Sequence, residues 1–345
     1  MAIVVLNAGD RAQLSSEPVT LKLDVEGAAQ AGDLDLSPSS PAARPRRGMI
    51  VLPKVSGRIV VFARPQGADG AAFPSPTRLH LSVEDGLGAN RVLVQAVDAA
   101  GLSRCDLLVI EPCEQGLVVY REQQLPDEPL SELATAARVQ ARRALGARQL
   151  GGADARQVSL LVDGSASMWP RVEDGTVRAI VEVLVGIVQV LSPGKRFTSV
   201  AVGHQRRKED RFAGAGPVQI GEAIEAAMTE RASSTGFRSA RSAPPAVAGE
   251  LLYVLTDEVP VDLDDLRRGR DAPGAGAHVI VMAPGSVADV VRPQLPASST
   301  FVEVAGGDMG CAGRLLSDRA SLGQLVADLL SDLPAGAASG GRGLR

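Results

Sequence analysis

The stretch with the clearest chemical potential is an apolar run that passes directly into oxygen-bearing side chains. Val158–Val162 is followed by Asp163, Ser165 and Ser167 in an Asp-x-Ser-x-Ser pattern. Parallel α/β sheets bind ligands at the carboxyl ends of their strands, and Mg²⁺ prefers oxygen donors in near-octahedral geometry. One carboxylate and two hydroxyls leave positions of that shell open. An acidic group on a partner protein would complete it.

Two later segments carry oxygen donors at places that a parallel sheet would bring to the same edge. Asp257 follows the apolar run Leu251–Leu255, and Thr235 lies in the polar loop that precedes this run. Because parallel strands end at one edge of their sheet, we expect both side chains to lie near Asp163. Two serines directly before Thr235 are equally able donors, so chemistry alone does not single out one ligand in that loop.

The residues around these segments alternate between strand and helix patterns. Alternation of this kind predicts a parallel sheet with helices on its faces. We therefore predict an α/β doubly wound domain over residues 157–333, followed by a disordered tail at 334–345. Its predicted strands are 158–162, 197–202, 251–255, 278–282 and 301–304, and its predicted helices are 175–191, 220–230, 263–268, 287–295 and a last helix ending near residue 333.

Residues 1–125 show a different pattern, in which short apolar runs are separated by Gly, Pro, Asn and Asp. Such runs predict an all-β sandwich. Residues 36–47 are rich in Pro, Ser and Arg and are predicted to form a mobile loop, whereas residues 126–156 carry a helical pattern and are predicted to be a helical linker. The predicted strands of the first half are 19–25, 58–63, 77–83, 91–97, 106–110 and 117–120.

The three polar segments of the second half resemble the metal-ion-dependent adhesion site of von Willebrand factor A (vWA) domains. That site combines Asp-x-Ser-x-Ser after an apolar strand, a distant Thr-Gly, and Thr/Ser-Asp-Gly after another strand. The resemblance covers about residues 157–333 and implies a Rossmann-like fold that binds Mg²⁺ or Mn²⁺. Glu258 departs from the pattern, because the family has glycine there. The implied metal ligands are Asp163, Ser165, Ser167, Thr235 and Asp257, the last contacting the ion directly or through water.

The first half resembles, less closely, the TerD domain of tellurium-resistance and stress proteins. TerD followed by a vWA domain is an arrangement found among tellurium-resistance proteins, so the two resemblances support each other. TerD domains bind Ca²⁺ through acidic loops, but the Asp-rich turn of the family is reduced here, and loss of calcium binding is favoured over retention. The matching features are a turn containing Gly9 before Leu14-Ser15, Asp33-x-Asp35, and Glu84-Asp85-Gly86.

Composition excludes several classes of function. The net charge of −4 is too small to indicate nucleic acid or a membrane surface as partner. No apolar run is long enough to span a bilayer, and the amino terminus does not read as a signal peptide, so we expect a cytoplasmic protein. The three cysteines lack a Cys-x-x-Cys spacing and predict neither a disulfide framework nor a zinc site.

The sequence therefore predicts a non-enzymatic protein of a bacterial tellurium-resistance or stress system, in which a divalent metal bridges the vWA-like half to a protein partner. Two alternatives stay open. One is a haloacid-dehalogenase-type phosphatase using Asp163 as nucleophile, although Ser165 stands where such enzymes place a second aspartate. The other is an adaptor whose metal site is empty. No residue is predicted to be catalytic.

Overall fold

The chain divides into two compact units, Met1–Asp127 and Glu128–Arg345, in a computed structural model. Each unit has its own apolar core. None of the helices within the described ranges combines the length and apolar character needed to cross a membrane. The structure describes residues 2–15, 17–30, 33–67, 70–88, 90–122, 127–203, 219–229, 237–296, 298–304 and 310–333.

The first unit is built from two sheets of short strands. One sheet has the order β1-β9-β8-β3-β6-β5, with β1 parallel to β9 and the other pairs antiparallel. The other has the order β2-β11-β10-β7-β4 and is antiparallel throughout. Their buried residues form one apolar cluster, which confirms the β-rich first half. The strands are β1 (Ala2–Leu6), β2 (Arg11–Leu14), β3 (Val19–Gly27), β4 (Leu34–Pro38), β5 (Ala43–Arg46), β6 (Met49–Leu52), β7 (Ile59–Pro65), β8 (Thr77–Glu84), β9 (Asn90–Asp98), β10 (Cys105–Cys113) and β11 (Gly116–Tyr120).

Residues 36–47 are not the loop that their composition predicts. They contain the end of β4 and the whole of β5, each at the edge of its sheet. Edge strands tolerate proline because one side of the backbone is unpaired, so Pro38 and Pro45 fit there. Leu36 is fully buried, and Arg44 pairs with Asp35, which ties the two strands together.

The second unit contains a five-stranded parallel sheet with the order β13-β12-β14-β15-β16. The predicted alternation of strand and helix is confirmed, except that residues 287–295 form one short helix between two 3₁₀ turns, the second containing Pro293. Proline lacks the N–H that a continuous helix would need. The strands are β12 (Gln157–Val162), β13 (Ser199–Val202), β14 (Glu250–Thr256), β15 (Gly276–Pro284) and β16 (Ser299–Val304), and the helices are α1 (Glu132–Leu145), α2 (Trp169–Glu173), α3 (Thr176–Leu191), α4 (Gln219–Thr229), α5 (Ser239–Ser242), α6 (Leu263–Arg268), α7 (Ala288–Val291), α8 (Cys311–Ser317) and α9 (Arg319–Leu329).

Helices cover both faces of this sheet. Successive side chains of a strand point to opposite faces. Tyr253 and Leu255 of β14 belong to one apolar cluster with residues of α3 and α9, whereas Leu252 and Val254 belong to another with residues of α6. The second unit is therefore a three-layer α/β structure, and Asp163 and Asp257 follow the carboxyl ends of two of its strands.

The segment predicted as a linker contributes a helix to the second unit. Helix α1 begins after Ser131, whose hydroxyl accepts a hydrogen bond from the Ala134 amide, and ends at Gly146, which has a φ of 63°. Its apolar residues belong to the core that α3 also lines. A Cβ at Gly186 of α3 would lie 2.3 Å from the Ala134 carbonyl oxygen, so glycine permits the two helices to cross closely. Helix α1 thus packs as part of the core of the α/β unit.

Candidate metal centre

Two neighbouring strands bring the first and third polar segments together. In β12 and β14, which pair in parallel, Val162 lies opposite Leu255. The Asp163 amide continues this ladder by donating to the Leu255 carbonyl at 2.8 Å. Asp163 and Asp257 therefore leave the same edge of the sheet on adjacent strands, as the sequence predicts. The position of Asp163 is fixed by backbone hydrogen bonding.

The Asp163 carboxylate is fully buried and oriented by two donors. Its Oδ1 accepts the Ser165 amide at 2.8 Å, and its Oδ2 lies 2.9 Å from the Thr256 hydroxyl, which is also fully buried. No lysine, arginine or histidine among the described residues forms an ion pair with it. A buried carboxylate normally has a cation or a metal as partner, because desolvation disfavours an isolated charge. Two hydrogen bonds reduce this cost without supplying the positive charge.

A line of hydrogen bonds joins the two serines to Asp257. The Ser167 hydroxyl donates to Asp257 Oδ1 at 3.1 Å, and the hydroxyl oxygens of Ser165 and Ser167 lie 2.9 Å apart. Because Ser167 gives its one proton to Asp257, Ser165 is the donor in the serine pair. Both hydroxyl oxygens keep a lone pair for another ligand. The geometry thus assembles four oxygen-bearing side chains at one place.

Asp257 lies partly buried at the rim of this cluster. Desolvation raises the pKa of its carboxyl above the ordinary value, the hydrogen bond from Ser167 opposes this shift, and the negative charges of Asp163 and Glu258 add to it. Each of the two neighbouring acids therefore makes ionisation of Asp257 less favourable. A divalent cation at the same place would reverse the sign of that interaction.

Steric crowding explains why the Asp-x-Ser-x-Ser segment has a glycine at position 164. A Cβ on Gly164 would lie 2.8 Å from the Gly203 Cα, just beyond the end of β13. Gly203 itself has a φ of 75°, a conformation that residues with side chains rarely adopt. The pair of glycines lets the chain leave β12 and β13 close together. Ser165 and Ser167 then lie beside Asp163 rather than being displaced by a bulky neighbour.

Not every predicted ligand can be located. Thr235 lies outside the described residues, so four of the five predicted ligands are placed and all four are brought together. No group of three or more His, Cys, Asp or Glu side chains within the described ranges is arranged to hold a metal, so serine hydroxyls must supply part of any shell here.

Thr256 is the residue of the site that sequence reasoning passed over. It contacts the Asp163 carboxylate and lies 3.1 Å from the Glu258 carbonyl oxygen, so it connects the first and third segments. The feature of the sequence that points to Thr256 is its position directly before Asp257. A buried threonine hydroxyl needs a hydrogen-bond partner. For Thr256, at the end of its strand, the polar residue that follows the neighbouring strand is the expected partner.

The four acids of the first unit considered for calcium have a different environment. Asp35 pairs with Arg44, Glu84 pairs with Arg91 at 3.2 Å, and Asp85 accepts the side-chain amide of Asn90 at 2.8 Å. Asp33 lies directly before β4. Asp35 and Glu84 thus have arginine partners, in contrast to Asp163, which has no cationic partner among the described residues.

Comparison with known proteins adds no family assignment to this geometry. No protein-family model matches the chain, and no curated protein sequence matches it significantly.

Proposed function

We propose that the second unit is a vWA-like domain that binds Mg²⁺ or Mn²⁺ and, through the metal, a protein partner. Asp163, Ser165, Ser167 and Asp257 would hold the ion, and the resemblance to the family adds Thr235. The observation that carries this proposal is the fully buried Asp163 carboxylate, which has two hydrogen-bond donors but no protein cation within the described part of the chain. A divalent ion would supply the missing charge.

The donor set fits a hard cation. Carboxylate and hydroxyl oxygens suit Mg²⁺ and Mn²⁺, whereas the described residues around the site offer no imidazole or thiolate to favour zinc or copper. Ser165 and Ser167 can turn lone pairs toward an ion while their protons remain hydrogen-bonded. When bound, the ion supplies an open coordination position for a ligand oxygen from another molecule. Ser167 is exposed, so the cluster is open to solvent on that side.

Metal-dependent binding of a protein partner accounts for the site better than phosphatase activity does. The residue two positions after Asp163 is Ser165, whose hydroxyl is committed to Ser167, so the acid/base group of a phosphatase is lacking at that position. Asp163 itself is held on both carboxylate oxygens, which suits a fixed electrostatic role. We therefore propose a non-enzymatic binding protein.

The first unit supports a proposal of biological setting by analogy of fold alone. Its two β-sheets around one core are compatible with the TerD-like sandwich that the sequence predicts. We propose that the chain works in a bacterial tellurium-resistance or stress-response system, with other proteins of that system as partners. Calcium binding by the first unit is not part of this proposal, since Asp35 and Glu84 already pair with arginines.

Calorimetric titration of the full chain with Mg²⁺, Mn²⁺ and Ca²⁺ tests the metal proposal. We expect one site that binds Mg²⁺ and Mn²⁺ and that is lost in Asp163→Asn but kept in Asp271→Asn, which removes an exposed carboxylate from a loop before β15. Absence of binding at millimolar metal would contradict the proposal. Metal-dependent release of phosphate from p-nitrophenyl phosphate that Asp163→Asn abolishes would favour the phosphatase instead.

A further inference from the structure

We infer that Glu258 determines which partner the metal site accepts, by selecting surfaces that carry a lysine or arginine beside the metal-binding group. This inference rests on the proposed metal site. It concerns the charge that remains once a divalent ion is bound, and it assigns to Glu258 a role in ligand choice rather than in holding the metal.

The backbone of Glu258 is fixed next to the site. Its carbonyl oxygen lies 3.1 Å and its amide nitrogen 3.4 Å from the Thr256 hydroxyl, the same hydroxyl that contacts the Asp163 carboxylate. The neighbouring residue, Asp257, is bound to Ser167. The Glu258 side chain is exposed, so it projects into solvent from an anchored position at the rim of the cluster. The fixed backbone therefore keeps the Glu258 charge near the cluster, although no hydrogen bond or ion pair among the described residues holds the side chain itself.

Three carboxylates lie at this edge, and no cation among the described residues pairs with them. In the described part of the chain, Asp163, Asp257 and Glu258 form no ion pair, and Arg171 of the adjacent helix α2 is already paired with Asp174 at 2.9 Å. Among these described groups, a divalent ion would balance two of the charges and leave one negative charge near the metal site. Within about 8 Å, the Debye length at physiological ionic strength, such a charge is only partly screened from a bound ligand.

The remaining charge sets the chemistry of the partner. A ligand that offers only a carboxylate adds a second negative charge beside Glu258, and the repulsion reduces its affinity. A ligand whose carboxylate has a basic neighbour places a positive charge against Glu258 and removes that penalty. A partner surface of mixed charge therefore fits this site better than a purely acidic one. Glycine at this position would not make the distinction, because it carries no charge.

Two short peptides separate these cases, acetyl-Asp-Ala-amide and acetyl-Asp-Arg-amide. The full chain is loaded with Mn²⁺, and each peptide is titrated while the relaxation rate of water protons is followed, since a bound carboxylate displaces water from the ion. We expect the wild type to bind the Asp-Arg peptide about threefold more tightly, the size expected for one exposed ion pair. In Glu258→Gln the preference should disappear and the affinity for the Asp-Ala peptide should rise. In the control Asp271→Asn the preference should remain.

The preference should also weaken as KCl is added, because it arises from charges in contact with solvent. A wild type and a Glu258→Gln variant that respond alike to the two peptides, whether both proteins bind them or neither does, would overturn the inference. A wild type that does not bind Mn²⁺ before any peptide is added would instead refute the proposed metal site, and the role of Glu258 would fall with it.

Discussion

Two buried acids of the second unit, Glu250 and Asp163, have different kinds of partner. Glu250, at the start of β14, is 2% exposed and pairs with Arg270 at 2.9 Å, and it also accepts hydrogen bonds from the Ser159 hydroxyl and the Val247 amide. Asp163, just beyond the end of β12, is 0% exposed and has hydrogen-bond donors but no described cation. Both acids are fixed, yet among the described residues only Glu250 has a cationic partner.

We propose that the difference separates a structural charge, Glu250, from a binding charge, Asp163. An internal ion pair is complete without a ligand, and its hydrogen bonds hold the ends of the strands together. A buried carboxylate without a counter-charge is destabilising until something else supplies the cation. On our proposal, the ion pair at the amino edge of the sheet serves stability, and the carboxyl edge binds a ligand. This is the usual side of an open α/β sheet for binding.

Arg270→Met tests the structural half of the comparison and should have the largest effect. Burial lowers the pKa of the Arg270 guanidinium and the charge of Glu250 opposes this, so each group depends on the other. Removing the arginine leaves Glu250 buried and unpaired, which should lower the free energy of unfolding by about 3–5 kcal/mol in urea denaturation. The exposed Arg268 also pairs with an acid, Asp265, and Arg268→Met should cost less than about 1 kcal/mol. Equal losses in the two variants would contradict the distinction.

The same chemical change at the two acids should have opposite consequences for stability. Glu250→Gln leaves Arg270 without its carboxylate and should destabilise the protein, whereas Asp163→Asn removes an uncompensated charge. The amide of the Asp163→Asn variant can donate to the Thr256 hydroxyl. That hydroxyl can then donate its own proton to the Glu258 carbonyl oxygen. We expect metal-free Asp163→Asn to be as stable as the wild type or more so, measured by urea denaturation in EDTA.

Asp163→Asn should also abolish the stabilisation that Mg²⁺ confers. A metal concentration a hundred times the dissociation constant would raise the free energy of unfolding of the wild type by about 2.7 kcal/mol. The variant should show no such rise, while Glu250→Gln should keep it from a lower starting stability. If Mg²⁺ stabilises both variants equally, Asp163 is not a metal ligand.

Ser167→Ala should weaken metal binding less than the loss of Asp163 does. It removes one neutral donor and leaves Asp257 without the hydrogen bond that orients it, which should reduce the affinity for Mg²⁺ by about tenfold in calorimetry. Ser199→Ala is the matched control, because this serine also belongs to a hydrogen-bonded pair of serine hydroxyls, in which it donates to Ser159 in the cluster around Glu250. Metal affinity should be unchanged in the control. A loss of metal affinity in Ser199→Ala larger than that in Ser167→Ala would imply that removing a hydroxyl weakens metal binding through an effect on folding.

The smallest effect should come from an exposed acid, Asp318. Its side chain caps helix α9 by accepting the Ala320 and Ser321 amides and the Ser321 hydroxyl, and these hydrogen bonds lower the pKa of its carboxyl. Because the folded pKa is lower than the unfolded one, the contribution to stability is present above the ordinary pKa of aspartate and is lost as the pH falls toward the folded value. Urea denaturation of Asp318→Asn should differ from the wild type at neutral pH, and the two should converge in acid. A constant difference across that range would contradict the assignment.

Much of the fold follows from local pattern. Helix α6, Leu263–Arg268, lies where its pattern predicts, and the five parallel strands match their apolar runs to within a few residues. Composition was misleading at residues 36–47, because Pro, Ser and Arg obscured the alternation of Leu34 and Leu36 in an edge strand. The sequence predicts helix α1 as part of a linker, because hydrophobic periodicity shows that a helix has an apolar face without showing what covers that face.

The candidate site was predictable to the extent that its residues lie at strand ends. Asp163 and Asp257 could be paired because parallel strands share an edge. The hydroxyl of Thr256 and the pair formed by Glu250 and Arg270 were missed, since their partners lie at distant positions in the sequence and depend on strand register. The prediction for Thr235 stays a prediction, because that residue lies outside the described ranges.

The most direct test of the central claim is anomalous diffraction from crystals of the full chain grown with Mn²⁺. We predict one strong anomalous peak at the carboxyl edge of the parallel sheet, bound by the hydroxyls of Ser165 and Ser167 and next to the carboxylates of Asp163 and Asp257. No peak should occur beside Glu250, whose charge Arg270 already balances. Manganese absent from the Asp163 cluster while bound elsewhere in the second unit would contradict the account.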